Sequence, residues 1–331
     1  MNIRRIGVWD VIILAALYSA LTNLATAQTQ NSRLITANSY FERGNDWFAK
    51  RELDKAIADF DLAIASAPDF ERAYCNRGVA RSMKGDLPGS LRDFDRAIQI
   101  NPRVAETYIN RGYIKYLQGE LKGAIDDNSR AIELNPRLAD AWNNRGWARG
   151  EQGALAEALA DLDRAIKLNS RIPSIYGNRG GIKFKLRDYD GAIADYNQEI
   201  RLNPVSAMAW CERAGARAMK GDWDGALKDC NRALELDPNI AIAYFNRAAV
   251  WKEKEDWERA IADYNLCLEK DPKFAEAFAQ RGLCHLRQGK AVEAQEDFAS
   301  CLKLNPRLRV SLEQETTTVK AAMRGPDQIR D

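Results

Sequence analysis

The sequence predicts an all-α solenoid built from antiparallel helix pairs, and three observations carry the prediction. Tyr74-Cys75-Asn76-Arg77-Gly78 returns 34 residues later as Tyr108-Ile109-Asn110-Arg111-Gly112, and again as Trp142-Asn143-Asn144-Arg145-Gly146. Eight such repeats tile residues 37–308 without insertion or deletion: 37–70, 71–104, 105–138, 139–172, 173–206, 207–240, 241–274 and 275–308. Small residues recur at positions 8 and 20 of each repeat, and Pro closes seven of the eight at position 32. A fixed period of this length means stacked supersecondary units, each burying its apolar face only against its neighbours.

Residues 1–27 stand outside the repeats. Arg4 and Arg5 precede a mostly apolar run, Val11 to Leu21, and Ala25-Thr26-Ala27 supplies small residues at a cleavage position. This is a secretory signal pattern, and the run falls short of the ~20 residues that span a bilayer. The expectation is an exported chain, periplasmic or secreted, that begins at Gln28; an uncleaved N-terminal anchor is the alternative. Residues 28–36 form a polar lead-in.

Within each repeat, position 4 is aromatic: Tyr40, Tyr74, Tyr108, Trp142, Tyr176, Trp210, Tyr244 and Phe278. Gly-Asp at positions 15 and 16, as in Gly85-Asp86 and Gly221-Asp222, ends one helix in a left-handed residue and caps the next. The pattern therefore gives two helices of roughly fourteen residues per repeat, with a tight turn between them. After Leu308 the period stops. Leu312, Val319 and Met323 then mark a capping helix with a polar outer side, and the last residues of 309–331 form a loose tail.

The aromatic at 4, the small residues at 8 and 20, Phe or Tyr at 24 (Phe60, Phe94, Tyr196, Tyr264, Phe298), Ala at 27 and Pro at 32 together resemble the tetratricopeptide repeat family. The resemblance covers about four-fifths of the chain. It implies a right-handed superhelix whose first helices line a concave groove and whose second helices form the convex back.

Two positions carry charge in lockstep. Position 7 is Arg throughout, including Arg77, Arg111, Arg145 and Arg179, and position 23 is Asp throughout, including Asp93, Asp127, Asp161 and Asp195. Many members of the family have an apolar residue at 7, so this is a departure. The expected role is a ladder of structural ion pairs, each Arg with an Asp of its own or the preceding repeat; a polyanion-binding stripe is the other reading. Glu199 interrupts position 27, where Arg179 or Arg213 is expected to neutralise it.

Position 6 is the candidate binding position, facing the groove by the family resemblance. It holds Asn76, Asn110, Asn144, Asn178 and Asn246, with Glu42, Glu212 and Gln280 in the other three repeats. An amide offers both donor and acceptor, and a row of them suits an extended peptide backbone. The row is similar to that of the peptide-binding repeats of O-GlcNAc transferase. Hydrogen bonding between repeats is the competing use. Tyr113, Tyr116 and Trp147 supply aromatic anchors. The carboxylate clamp of the chaperone-docking subfamily is not matched: Asn45 and Asn76 fit, but Phe41, Glu106 and Asn110 replace its basic residues.

No constellation for catalysis, cofactor or metal appears. One histidine, His285, sits in a repeat position, and no phosphate loop, nucleophile elbow or metal-binding pair occurs. A net charge of +2 spread over all repeats favours neither nucleic acid nor an anionic membrane. Of the six cysteines, Cys230, Cys267, Cys284 and Cys301 fall on core positions, and Cys75 and Cys211 on the groove side. Six free thiols are expected, with a Cys267–Cys284 bridge as the alternative. The reading is a non-enzymatic scaffold that binds a protein or peptide, with no small-molecule substrate and with membrane contact only if residues 1–27 are retained. A structural module of an envelope complex, acting through self-association or its convex face, is the second reading.

Overall fold

The computed structural model describes residue 28 and residues 31–324, and every regular element among them is helical. Residues 1–27, where a secretory signal is expected, and the tail after 324 lie outside the described residues. Two compact segments result, one ending at Ala154 and one starting at Leu155. Each is a stack of antiparallel helix pairs, the solenoid class of fold.

The repeat register maps directly onto the helices. In repeat 2 they are Glu71–Met83 and Leu87–Ile100, of 13 and 14 residues. In repeat 6 they are Ala207–Met219 and Trp223–Leu236, of the same lengths. Position 15 makes the turn. Gly85, Gly119, Gly153, Gly221 and Gly289 have φ between 76° and 93°, where a Cβ is strained. Arg51, Arg187 and Glu255 take the same left-handed conformation without being glycine. Asp86, Asp188, Asp222 and Asp256 then cap the second helix, each carboxylate accepting from a backbone N–H three residues on.

Position 8 is small because of position 24. A Cβ added to Gly78 would lie 2.9 Å from Phe94, and one on Gly180 would lie 2.8 Å from Tyr196. The ring occupies the space that a side chain would take, and so the two helices close up over it. Phe60, Phe94 and Tyr264 are essentially fully buried. Repeat 3 departs from this: Asn128 takes the ring position, 1% exposed, and donates from Nδ2 to Ala124 O at 2.8 Å. Tyr108, Trp142, Tyr176, Trp210 and Tyr244 at position 4 tie their first helices to the preceding loop, as when Trp210 Nε1 donates to Pro204 O at 3.1 Å.

Cys211 is not on an open face. It is 1% exposed, like Phe41 at the same repeat position, because position 5 points into the seam between successive first helices. Cys75, at that position in repeat 2, is half-buried. All six cysteines are free thiols, and Cys267 and Cys284 sit unbridged in one apolar cluster with Tyr264.

After repeat 8, a 3-10 turn Pro306–Leu308 leads into the helix Arg309–Arg324. Leu312 is buried against Ala279, Cys301 and Leu308, whereas Met323 is exposed. No helix among the described residues is long and apolar enough to cross a membrane.

Candidate protein-binding face

The charge ladder is the most regular arrangement in the molecule. Arg179 donates from Nε and Nη2 to both oxygens of Asp195, at 2.9 and 2.6 Å. Arg43, Arg77, Arg111, Arg213, Arg247 and Arg281 grip the Asp of their own repeat in the same two-pronged way. Each of these Asp side chains is nearly buried, so the bidentate pair replaces its lost hydration. The arginines also lie across the position-4 ring of their repeat; Arg213 is 4.7 Å from the centre of Trp210.

Two further partners complete the network. The remaining Nη1 reaches back to position 25 of the preceding repeat, as from Arg179 to Asp163 at 2.6 Å and from Arg145 to Ser129 at 3.2 Å. Position 11 adds a second cation to the same Asp: Arg81 on Asp93, Lys115 on Asp127, Lys183 on Asp195 and Arg217 on Asp229. In repeat 8 that place is taken by His285, whose Nδ1 lies 3.1 Å from Asp297. The recurrence of Asp, Asn or Ser at position 25 was a readable signal for the third bond. With its donors directed inward, the ladder is a fastening within and between repeats.

Glu199 is not neutralised by arginine. Arg179 is held by Asp195 and Asp163, and Arg213 by Asp229 and Asn197, so neither turns toward it. Its Oε2 is buried without a hydrogen-bond partner, against Gly177, whose missing Cβ makes the room. Burial pushes the Glu199 carboxyl up to about 7. Burial, and then the Glu199 charge, push Glu212 up to about 8.

The position-6 asparagines are half-buried, and those with resolved partners direct Nδ2 into the stack. Asn76 donates to Asn45 Oδ1 at 2.8 Å, and Asn110 to Cys75 Sγ at 3.9 Å. In the second segment Asn246 donates to Cys211 O at 3.2 Å. Their donors thus serve the contact between neighbouring first helices. Asn144 accepts from Asn143 at 3.4 Å. Asn178 is half-buried.

The first helices of the N-terminal segment carry exposed apolar side chains. Met83, Tyr113 and Leu117 are each about half exposed, at 49%, 51% and 48%. Beside them Trp147 Nε1 donates to the Tyr116 hydroxyl at 2.6 Å, which holds the two rings together. Among the described residues there is no group of three or more side chains that could hold a metal ion.

A tetratricopeptide repeat model matches residues 179–241, another matches 139–171, and a TPR repeat model matches 112–153. Among curated proteins, none matches the chain. Solved structures do resemble it in fold. One is the APC/C hetero-tetramer Cut9–Hcn1, at 15% identity and a TM-score of 0.67, covering 84% of this chain and 54% of that one. The chain thus spans about half the length of that relative. A second is a tetratricopeptide repeat protein from Parabacteroides merdae, at 22% identity and a TM-score of 0.60, covering 76% of this chain and 98% of that one. A third is pilF of Pseudomonas aeruginosa, at 18% identity and a TM-score of 0.56, covering 64% and 96%.

Proposed function

Since the chain belongs to the tetratricopeptide repeat family, we propose that it is a non-enzymatic scaffold that binds an extended segment of a protein partner. The observation that carries this reading is the exposed apolar group Met83, Tyr113 and Leu117, next to the joined Tyr116 and Trp147. Half-exposed aromatic and aliphatic side chains on one face are anchors waiting for a partner to exclude water from them. The asparagines at position 6 support the same reading in a narrower way. With Nδ2 of Asn76 and Asn110 engaged in the scaffold, their carbonyl oxygens accept from N–H groups of the bound backbone. Asn144, Asn178 and Asn246 extend the same position through later repeats.

Export belongs to the proposal. The n-region, apolar run and Ala25-Thr26-Ala27 of the first 27 residues direct the chain out of the cytoplasm. N-terminal sequencing of the exported protein should begin at Gln28, and an intact Met1 in a membrane fraction would instead establish an anchor. For the binding role, the experiment is affinity capture with the chain from Gln28 onward. The captured partner is then titrated against wild type and a Tyr113→Ala/Leu117→Ala variant. The variant should keep its circular dichroism and lose most of the affinity; equal affinity in both would remove this face from the mechanism.

A further inference from the structure

The C-terminal segment ends in a cavity that the repeat pattern does not account for. The helix Arg309–Arg324 takes the register of a ninth first helix, with Leu312 at position 4 buried against Ala279, Cys301 and Leu308. Position 7 is Arg in all eight repeats, but here it is Glu315. Glu315 accepts from Gln280 Nε2 at 3.1 Å and has no cationic partner among the described residues.

Between this helix, the first helix of repeat 8 and the turn of repeat 7 lies a cavity of about 400 Å³. That is within the usual ~300–1,000 Å³ of ligand sites. Leu283, 4% exposed, forms part of its wall together with Trp257 and Val319. Arg287 lies 5.7 Å from the centre of a Trp257 ring. The carboxylates Glu253, Glu255 and Glu315 outnumber the cations Lys252 and Arg287. Lys252 is already engaged, donating to Gln280 Oε1 at 2.8 Å and standing 3.9 Å from Glu253. Glu255 has no cationic partner among the described residues, and it occupies the left-handed turn position, φ 58°, that is glycine in five repeats.

We infer that this cavity binds a lysine or arginine side chain carried by a protein segment. The aliphatic stem lies along Trp257, Leu283 and Val319, and the charged head reaches Glu255 and Glu315. Long basic side chains combine an apolar stem with a charged tip, which is the combination this lining offers. An anionic group would meet a surplus of like charge, and a purely apolar one would strip water from carboxylates and leave them unpaired. The inference uses none of the anchors on the N-terminal segment, so it stands or fails separately from the reading given above.

The test is a nuclear magnetic resonance titration of the full chain, labelled at the tryptophan indole nitrogens. The Trp257 signal is assigned by its loss in Trp257→Phe. The probes are acetyl-Ala-Lys-Ala-amide, its arginine counterpart, and the norleucine and glutamate counterparts. The lysine and arginine peptides should shift the Trp257 signal saturably. Affinity should fall about fivefold in Glu315→Gln and in Glu255→Gln, the scale expected for loss of one partly exposed ion pair. Glu255 lies on an exposed turn, so its variant decides the matter should Glu315→Gln fail to fold. The proposal is overturned if the norleucine peptide binds as well as the lysine peptide. It is equally overturned if the folded variants bind lysine like wild type, or if the basic peptides produce no saturable shift.

Discussion

Arg213 lies across the Trp210 ring at 4.7 Å and grips both oxygens of Asp229 at 2.8 and 2.7 Å. One side chain therefore makes a ring contact within its own helix and a bidentate pair to the facing helix. Its third bond, to Asn197 at 2.6 Å, reaches the preceding repeat. The neighbouring repeats are fastened by a polar device that recurs with the same period as the apolar core.

The first prediction follows from the burial of Asp229, which is 2% exposed. Arg213→Met removes the bidentate partner and leaves Arg217 as the one cation on that carboxylate. Breaking a buried pair from one side costs about 3–5 kcal/mol when the remaining charge is left without compensation, and the retained Arg217 pair brings the expected loss below that range. Urea unfolding should show a lower midpoint for Arg213→Met. Asp224→Asn, which breaks the exposed pair with Lys254, should leave the midpoint almost unchanged. Equal behaviour of the two variants would mean that the ladder is solvated decoration.

The second prediction concerns pH. Glu199 and Glu212 have folded-state values raised to about 7 and about 8 by burial. The folded chain then binds more protons than the unfolded chain between the ordinary carboxylate range and pH ~8. Their contribution is present below the unfolded value and is lost as pH rises through 7 and 8. Stability should accordingly fall by a few kcal/mol, in order of magnitude, from pH 5 to pH 8.5. The double variant Glu199→Gln/Glu212→Gln should flatten this slope. Thermal melts of both chains across that range are the measurement, and parallel slopes would defeat the assignment.

Much of the fold was legible because a solenoid repeats its constraints. Tyr74, Gly78 and Asp93 are each one sample of a rule seen eight times, and Phe94 of one seen five times, so chance matches cancel. The bond from Arg179 to Asp163 was harder to read, because it joins different repeats and depends on how neighbours stack. Glu199 misled for a related reason. A buried carboxylate suggests a nearby guanidinium, but every nearby Arg was already committed to the ladder, and Gly177 supplied space in place of charge. The end cavity was least legible, since Glu255 and Glu315 acquire meaning only when the last helix packs beside Trp257.

The third prediction uses repeat 3, whose ring position holds a polar side chain. Asn128 is 1% exposed, and its Oδ1 is buried without a partner. An orphaned buried acceptor costs about 1–3 kcal/mol. Leu162 occupies the same position in repeat 4, fully buried, so the site tolerates a branched aliphatic side chain. Asn128→Leu should therefore raise the unfolding free energy by about 1–3 kcal/mol, read from urea titration. A destabilised variant would show that the amide is held by something more valuable than its bond to Ala124.

The last prediction separates scaffold from binding within one face. Asn76 donates to Asn45 at 2.8 Å, a full hydrogen bond between two first helices. Tyr113, four residues along its helix from Ile109, is 51% exposed. Asn76→Ala should lower stability by about 0.5–1.5 kcal/mol, the net worth of a neutral hydrogen bond. Tyr113→Ala should leave the melting temperature nearly unchanged, because a half-exposed ring contributes little to packing. For partner affinity the order reverses. An aromatic anchor at the centre of an interface typically costs about 2 kcal/mol or more when truncated, roughly thirtyfold, whereas one backbone contact costs about 1 kcal/mol. Melting curves and titration of the captured partner, run on the same two variants, give four numbers. If Tyr113→Ala lowers stability and spares affinity, the ring belongs to the scaffold and the binding face lies elsewhere on the chain.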